Sequence, residues 1–233
     1  MAILPLDLSL LLPDGQQAVA VTLNGRNGVP GEAQRNIKAL PRAVDVLLDE
    51  GVGAIFLMGI PVAARRGYAE DCSALTALTA DRGGVPIVSA LNAITLALRA
   101  LGAQRPLFVT QYGDALNRQV VDYCSDAGVE VLSAVGLNAG NAAEVNALTE
   151  ADFERLARDA VACNPTADAV VISARPSLLS LGRRLEAELG IPVIEQTAAG
   201  VWWALSELGL PLPETADRLF AAAGHHLENM GEE

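Results

Sequence analysis

Tyr112, Arg175 and Glu195 are the residues of this sequence best suited to chemistry, because each follows or ends a short apolar run. A phenol donates a hydrogen bond or a proton, and a guanidinium grips a carboxylate through two parallel N–H bonds. Glu195 would serve as a base or as a partner for Arg175. Four segments hold these groups: Met58-Gly59-Ile60-Pro61, Thr110-Gln111-Tyr112-Gly113-Asp114, Ser173-Ala174-Arg175-Pro176-Ser177 and Glu195-Gln196-Thr197. Ser173 and Thr197 add hydroxyls, and the backbone N–H groups after Gly59 and Ala174 add donors. Such a set can hold a small carboxylate and stabilise negative charge that develops beside it.

The other reactive residue types stand elsewhere. Cys72, Cys124 and Cys163 fall in helical patterns and read as packing residues. Their odd number and wide spacing fit a reducing compartment, so the expected location is cytoplasmic. His225 and His226 are the two histidines, too few for a zinc-type ligand set, and no metal is expected. Arg65 and Arg66 before Gly67 read as a solvated helix face.

Strands must position those groups. Apolar runs at Leu6–Leu12, Ala18–Leu23, Ala54–Met58, Pro86–Ser89, Pro106–Thr110, Val129–Val135, Ala169–Ser173 and Pro192–Glu195 read as strands. Amphipathic stretches at Ile37–Glu50, Asn92–Gly102, Asp114–Ala127, Glu150–Ala162, Leu178–Leu189 and Ala199–Gly209 read as helices. Alternation of this kind predicts a parallel sheet, and runs such as AIFLM and AVVIS predict sheets covered on both faces. In open α/β sheets ligands bind beyond the carboxyl ends of the strands, where the four segments lie.

An internal repeat sharpens the architecture. GVGAIFLMGIP leads through a helix to GVPIVSALNAITLALRALG, and TADAVVISARP leads through a helix to GIPVIEQTAAGVWWALSELG. The period of about a hundred residues is too long for a solenoid and fits a duplicated lobe. The expected fold is α/β, with two similar parallel-sheet lobes around a cleft. Lobe one would cover 1–104 and be completed by 211–233; lobe two would cover 105–210. Gly59 and Ala174 would then face one another.

With 28 acidic against 16 basic residues, the net charge of -12 speaks against nucleic-acid and membrane-surface roles. The opening MAILPLDLSLLLP carries no basic residue before its apolar run and reads as a first buried strand rather than a leader.

LMGIPVAARRG, VPIVSALNAITLALRALGAQR, VTQYGDALN, ADAVVISARPSLLSL and GIPVIEQTAAGVWWAL together resemble the aspartate/glutamate racemase superfamily. The branch most similar is that of arylmalonate decarboxylase and maleate cis–trans isomerase, along about Ile37 to Leu210. The resemblance implies two flavodoxin-like lobes and chemistry without metal or organic cofactor. Racemases of that superfamily place a cysteine after a strand in each lobe, and the decarboxylases keep only the second. The corresponding positions here are Gly59 and Ala174, so the resemblance implies that neither thiol is present. Two hydroxyl residues of the decarboxylase pattern correspond to Ile60 and Pro61, while Tyr112 and Asn117 match the pattern Tyr-x-Asp-x-x-Asn.

The expected activity is therefore a lyase step, decarboxylase-like, on a small carboxylate or dicarboxylate. Tyr112, Arg175 and Glu195 would be catalytic, and Gly59, Ile60, Asn117, Ser173, Ala174 and Thr197 would bind substrate. An isomerase or hydrolase with Glu195 as base, and a non-catalytic protein that binds a small acid, stay open. Assembly into a homo-oligomer stays open as well.

Overall fold

Apolar runs that end in a polar or glycine break form parallel strands, and the computed structural model describes them within residues 6–23, 32–174, 178–214 and 217–222. The first unit runs α1 (Glu32–Asp49), β1 (Ile55–Leu57), α2 (Ile60–Arg66), α3 (Tyr68–Ala80), β2 (Ile87–Ser89) and α4 (Ala90–Ala100). The second runs β3 (Pro106–Thr110), α5 (Asp114–Asp126), β4 (Ser133–Gly136), α6 (Ala142–Ala147), α7 (Glu150–Cys163), β5 (Ala169–Ser173), α8 (Leu179–Leu189), β6 (Val193–Glu195) and α9 (Gln196–Glu207). A short α10 (Arg218–Ala221) follows.

Every strand pair is parallel. β1 pairs β2 from Ile55↔Ile87 to Leu57↔Ser89, and the larger sheet has the order β4-β3-β5-β6. β3 and β5 are buried at every position, as strands covered by helices on both faces must be. The path β1–α2/α3–β2–α4 recurs as β5–α8–β6–α9, which is the duplication legible in the sequence. The copies meet where α4 packs on α9. Gly200 of α9 admits the ring of Phe56 from β1, which a Cβ there would overlap.

Three strand expectations are corrected. Leu6–Leu10 is a 3-10 helix, not a strand, and the three-residue spacing of buried Leu8 and Leu11 matches that helix's period. Leu11 N–H donates to the Leu8 carbonyl at 3.0 Å. Ala18–Leu23 pairs with no strand among the described residues, and Val19 and Val21 are exposed. The strand expected at Val129–Val135 begins only at Ser133, because Val129 N–H closes the end of α5 on the Cys124 carbonyl at 2.8 Å.

The described tail is anchored to the second unit. Arg183 Nε holds both oxygens of Asp217, at 3.1 and 3.0 Å. Buried Glu186 accepts Val193 N–H and Arg218 N–H, each at 2.8 Å. Leu219 and Phe220 join the buried cluster that also contains residues of α2, α4 and α9.

Candidate functional site

Sheet register gathers most of the expected residues at one edge. Thr110 lies opposite Gly136 and Ser173, and Ile172 lies opposite Glu195. The carboxyl ends of β4, β3, β5 and β6 therefore emerge side by side. Ser173 Oγ donates to Gln196 Oε1 at 3.0 Å, and Gln196 Nε2 donates to the Ala174 carbonyl at 3.1 Å. Gln111 N–H donates to the Ser173 carbonyl at 3.3 Å. Half-buried Tyr112 follows Gln111, and its own N–H donates to Thr110 Oγ1 at 3.1 Å.

Asn117 projects from the first turn of α5 into the same edge. Its Oδ1 accepts from the Thr110 hydroxyl at 2.8 Å, while its buried Nδ2 has no partner among the described residues. A buried amide donor left unpaired is costly, so this group has hydrogen-bonding capacity to offer an oxygen of a ligand.

Glu195 ends β6 and caps α9. One carboxylate oxygen accepts the N–H groups of Thr197 and Ala198, at 2.7 and 3.3 Å, and the other meets the Thr197 hydroxyl at 3.3 Å. A helix N-terminus with converging N–H groups is an anion site, and in this protein the side chain of Glu195 occupies it. Those bonds engage both oxygens of the carboxylate. Arg175 lies outside the described residues.

In the first unit Gly59 precedes α2 with φ 101°, a backbone region natural to glycine and strained for any side chain. Ile60 is fully buried in the core cluster against which Tyr112 packs, so its side chain fills space rather than facing solvent. Beside Gly59 lies a cavity of about 30 Å³, bordered also by Asn36, Arg66, Asp71 and Ser89. Ala174 does not border it.

Here the structure supplies residues that the sequence did not single out. Asp71, 1% exposed, accepts the Ser89 hydroxyl at 2.6 Å and the Tyr123 hydroxyl at 3.1 Å on one oxygen. Its other oxygen pairs Arg66 Nη1 at 3.5 Å. The Arg66 side chain is only 8% exposed, which corrects its expected place on a solvated face. Ser89 stands in the repeat where Glu195 stands in the second copy, and it caps α4 by accepting Asn92 N–H at 3.2 Å. That correspondence was the one signal in the sequence for this cluster.

Among the described residues no cysteine stands at the carboxyl end of a strand. Cys72 is in α3, Cys124 in α5 and Cys163 closes α7. Burial pushes the Cys124 thiol up to about 12. Burial first, and then the Asp71 charge, push the Tyr123 phenol above its usual range. Both groups hold their protons in the fold at pH values where the unfolded chain, with ordinary values of 9.0 and 10.0, releases them. The unfolded state then binds fewer protons, so the stability associated with these groups is intact below about pH 9 and falls as pH rises above it. Denaturant midpoints measured between about pH 8 and pH 11 will decline in the wild type and decline less in Tyr123→Phe. An equal decline in both would remove Tyr123 from this account.

The architecture defined by these elements is a two-lobed α/β fold of parallel sheets whose polar groups collect at the strand ends. The arylmalonate decarboxylase family model matches residues 9–220, and the chain belongs to that family. A maleate isomerase of Geobacillus stearothermophilus is 32% identical over 149 residues, covering 62% of this chain and 58% of that protein. The arylmalonate decarboxylase of Bordetella bronchiseptica is 29% identical over 170 residues, covering 70% of this chain and 68% of that one. A crystal structure of a double mutant of arylmalonate decarboxylase in the liganded form matches with TM-score 0.86 and 23% identity, over 95% of this chain and 94% of that chain. The Nocardia farcinica maleate cis–trans isomerase, in a mutant with a covalently bound succinylcysteine intermediate, matches with TM-score 0.76 and 26% identity, over 84% and 82% of the two chains. The named relatives are enzymes. No described helix is long and apolar enough to cross a membrane.

Proposed function

We propose that this chain is a cofactor-independent enzyme that acts on a small carboxylate at the strand ends, as a decarboxylase-like lyase without a strand-end thiol. One observation carries the reading. The second sheet's register draws Tyr112, Asn117, Ser173, Ala174 and Thr197 to a single edge, and Asn117 Nδ2 there is a buried donor with no partner among the described residues. Loss of a carboxylate as CO2 leaves an electron pair on the adjacent carbon, delocalised onto an oxygen that donors must stabilise. A proton then arrives from one donor, and Tyr112 is assigned that role. Arg175 is assigned to grip the carboxylate. Two-base racemisation does not suit Gly59 and Ala174, which carry no acid or base.

The lobes assigned to this chemistry are 1–104 and 105–210, and the described tail after them bonds to Arg183 and Glu186 of the second. Gly59 and Ile60 would bound the substrate from lobe one. The reducing environment suggested by three unpaired thiols makes the cytoplasm the assigned location.

Glu195 is a weaker candidate for a base than Tyr112 for a donor, because its carboxylate already caps α9. The isomerase and hydrolase readings that rely on it lose support accordingly. The non-catalytic reading, binding of a small acid at the same strand ends, is the outcome that a turnover assay separates from the enzymatic one.

The test is turnover of malonate, substituted malonates and maleate, followed by CO2 release and by proton exchange in D2O. Tyr112→Phe will lower kcat by at least about tenfold, roughly 1.4 kcal/mol at the transition state. Wild-type kcat in that variant would take Tyr112 out of the mechanism. Absence of turnover alongside saturable binding would leave the protein as an acid binder.

A further inference from the structure

Arg66 is a cation whose side chain is 8% exposed and whose partners among the described residues are few. Of the five N–H donors of its guanidinium, Nη1 alone has a partner among the described residues, and that contact with Asp71 is 3.5 Å long. Asp71 does not depend on it, since the Ser89 and Tyr123 hydroxyls serve its other oxygen at 2.6 and 3.1 Å. Arg66 borders the cavity beside Gly59, at the carboxyl ends of β1 and β2, which is where open α/β sheets receive ligands.

Asn36 borders the same cavity from α1, and its buried side-chain oxygen has no partner among the described residues. An amide can turn its NH2 inward in place of its oxygen at no cost in shape. The cavity, about 30 Å³, has room for one carboxylate group and not for a whole substrate. The remainder of a ligand would extend past Gly59, whose missing side chain keeps that side open.

We propose that Arg66, with the Asn36 amide beside it, is the receptor for a carboxylate group in the first lobe. This replaces the hydroxyls that Ile60 and Pro61 do not supply, and it rests on the reading of the protein as acting on a small carboxylate. Asp71 is a positioning residue that holds the guanidinium through its Nη1 edge. Arg66 can then present its remaining N–H groups to an oxygen pair, the geometry in which guanidinium and carboxylate bind best.

The experiment uses the full chain, with formate as the probe for binding and malonate or maleate for turnover. Arginine Nε–H resonances are followed by 15N–1H NMR, with the Arg66 signal assigned by its loss in Arg66→Lys. Saturable movement of that signal with formate is expected. Asn36→Asp, on the half-buried face of α1, sets a fixed carboxylate against Arg66 and will abolish the movement. In Arg66→Lys the ammonium still reaches Asp71, and KM will rise at least about tenfold while kcat stays within about threefold.

No saturable movement in the wild type, or movement that survives Asn36→Asp, overturns the assignment and leaves the cavity to water. Turnover with unchanged KM in Arg66→Lys also overturns it, and the proposed function then survives. Formate binding at Arg66 with no turnover of any carboxylate has the opposite meaning: the receptor stands and the enzymatic reading falls.

Discussion

Asp71→Ala will destabilise the fold by about 3–5 kcal/mol, the cost of breaking a buried charged pair from one side. For a chain of this length that is a fall in Tm of roughly 6–20 °C. The substitution leaves a buried guanidinium at Arg66 and two buried hydroxyls, Ser89 and Tyr123, without their acceptor. Asp71→Asn will cost less, because an amide oxygen still accepts from the hydroxyls while the cation alone loses its partner. Adding Arg66→Leu to Asp71→Ala will recover part of the loss, since it removes the stranded charge. Thermal melts of these four chains, wild type included, measure the coupling directly. If Asp71→Ala melts within a degree or two of wild type, the cluster is solvated in solution and the account of Arg66 fails with it.

The legible parts of the fold were those whose burial is decided locally. Pro106–Thr110 and Ala169–Ser173 form strands with the bounds their apolar runs suggest, because both faces are covered and every position must be apolar. The opening leucines read equally well as a strand, and only the core against which Leu8 and Leu11 pack selects a three-residue period. The helix expected between GVGAIFLMGIP and GVPIVSA could be given no bounds, because alanine, leucine and threonine are spread around α3 with almost no apolar stripe. It is recognisable only once Gly67, with φ 80°, has separated it from α2.

The site was legible in position more than in role. Tyr112, Ser173 and Thr197 follow strands, and strand ends are where the topology leads one to look. Glu195 stands at such an end too, but its bonds to Thr197 and Ala198 depend on the helix beginning at Gln196, and they turn an apparent base into a cap. Asp71 could not be singled out at all. Its partners lie 18 and 52 residues away, so an acidic residue that looks solvated in the sequence is buried by contacts that only the tertiary fold creates. The same holds for Arg66, whose neighbour Arg65 does face solvent.

Gly136→Ala will be among the most damaging single-methyl changes in the chain, destabilising it by about 3 kcal/mol, at the upper end of what overpacking costs. Gly136 ends β4 opposite Thr110, and there is no room over its Cα. An added Cβ would overlap the Tyr112 carbonyl oxygen and stand 2.7 Å from Asn117 Nδ2. Backbone cannot give way as a flexible side chain can, so the carboxyl end of β3 must shift. That end carries the Thr110 hydroxyl bond to Asn117 and the turn that presents Tyr112. The damage will therefore not be confined to stability. Below its own melting temperature, roughly 6–12 °C beneath the wild type, the variant will lose at least about tenfold in kcat through misplacement of Tyr112. Gly140→Ala is the control, because a Cβ there meets only the end of the exposed Glu144 side chain. It will leave both Tm and turnover near wild type. A Gly136→Ala chain that melts like the wild type would show that β4 can move away from β3, and the strand-end edge would then be too loose to position Tyr112 for catalysis.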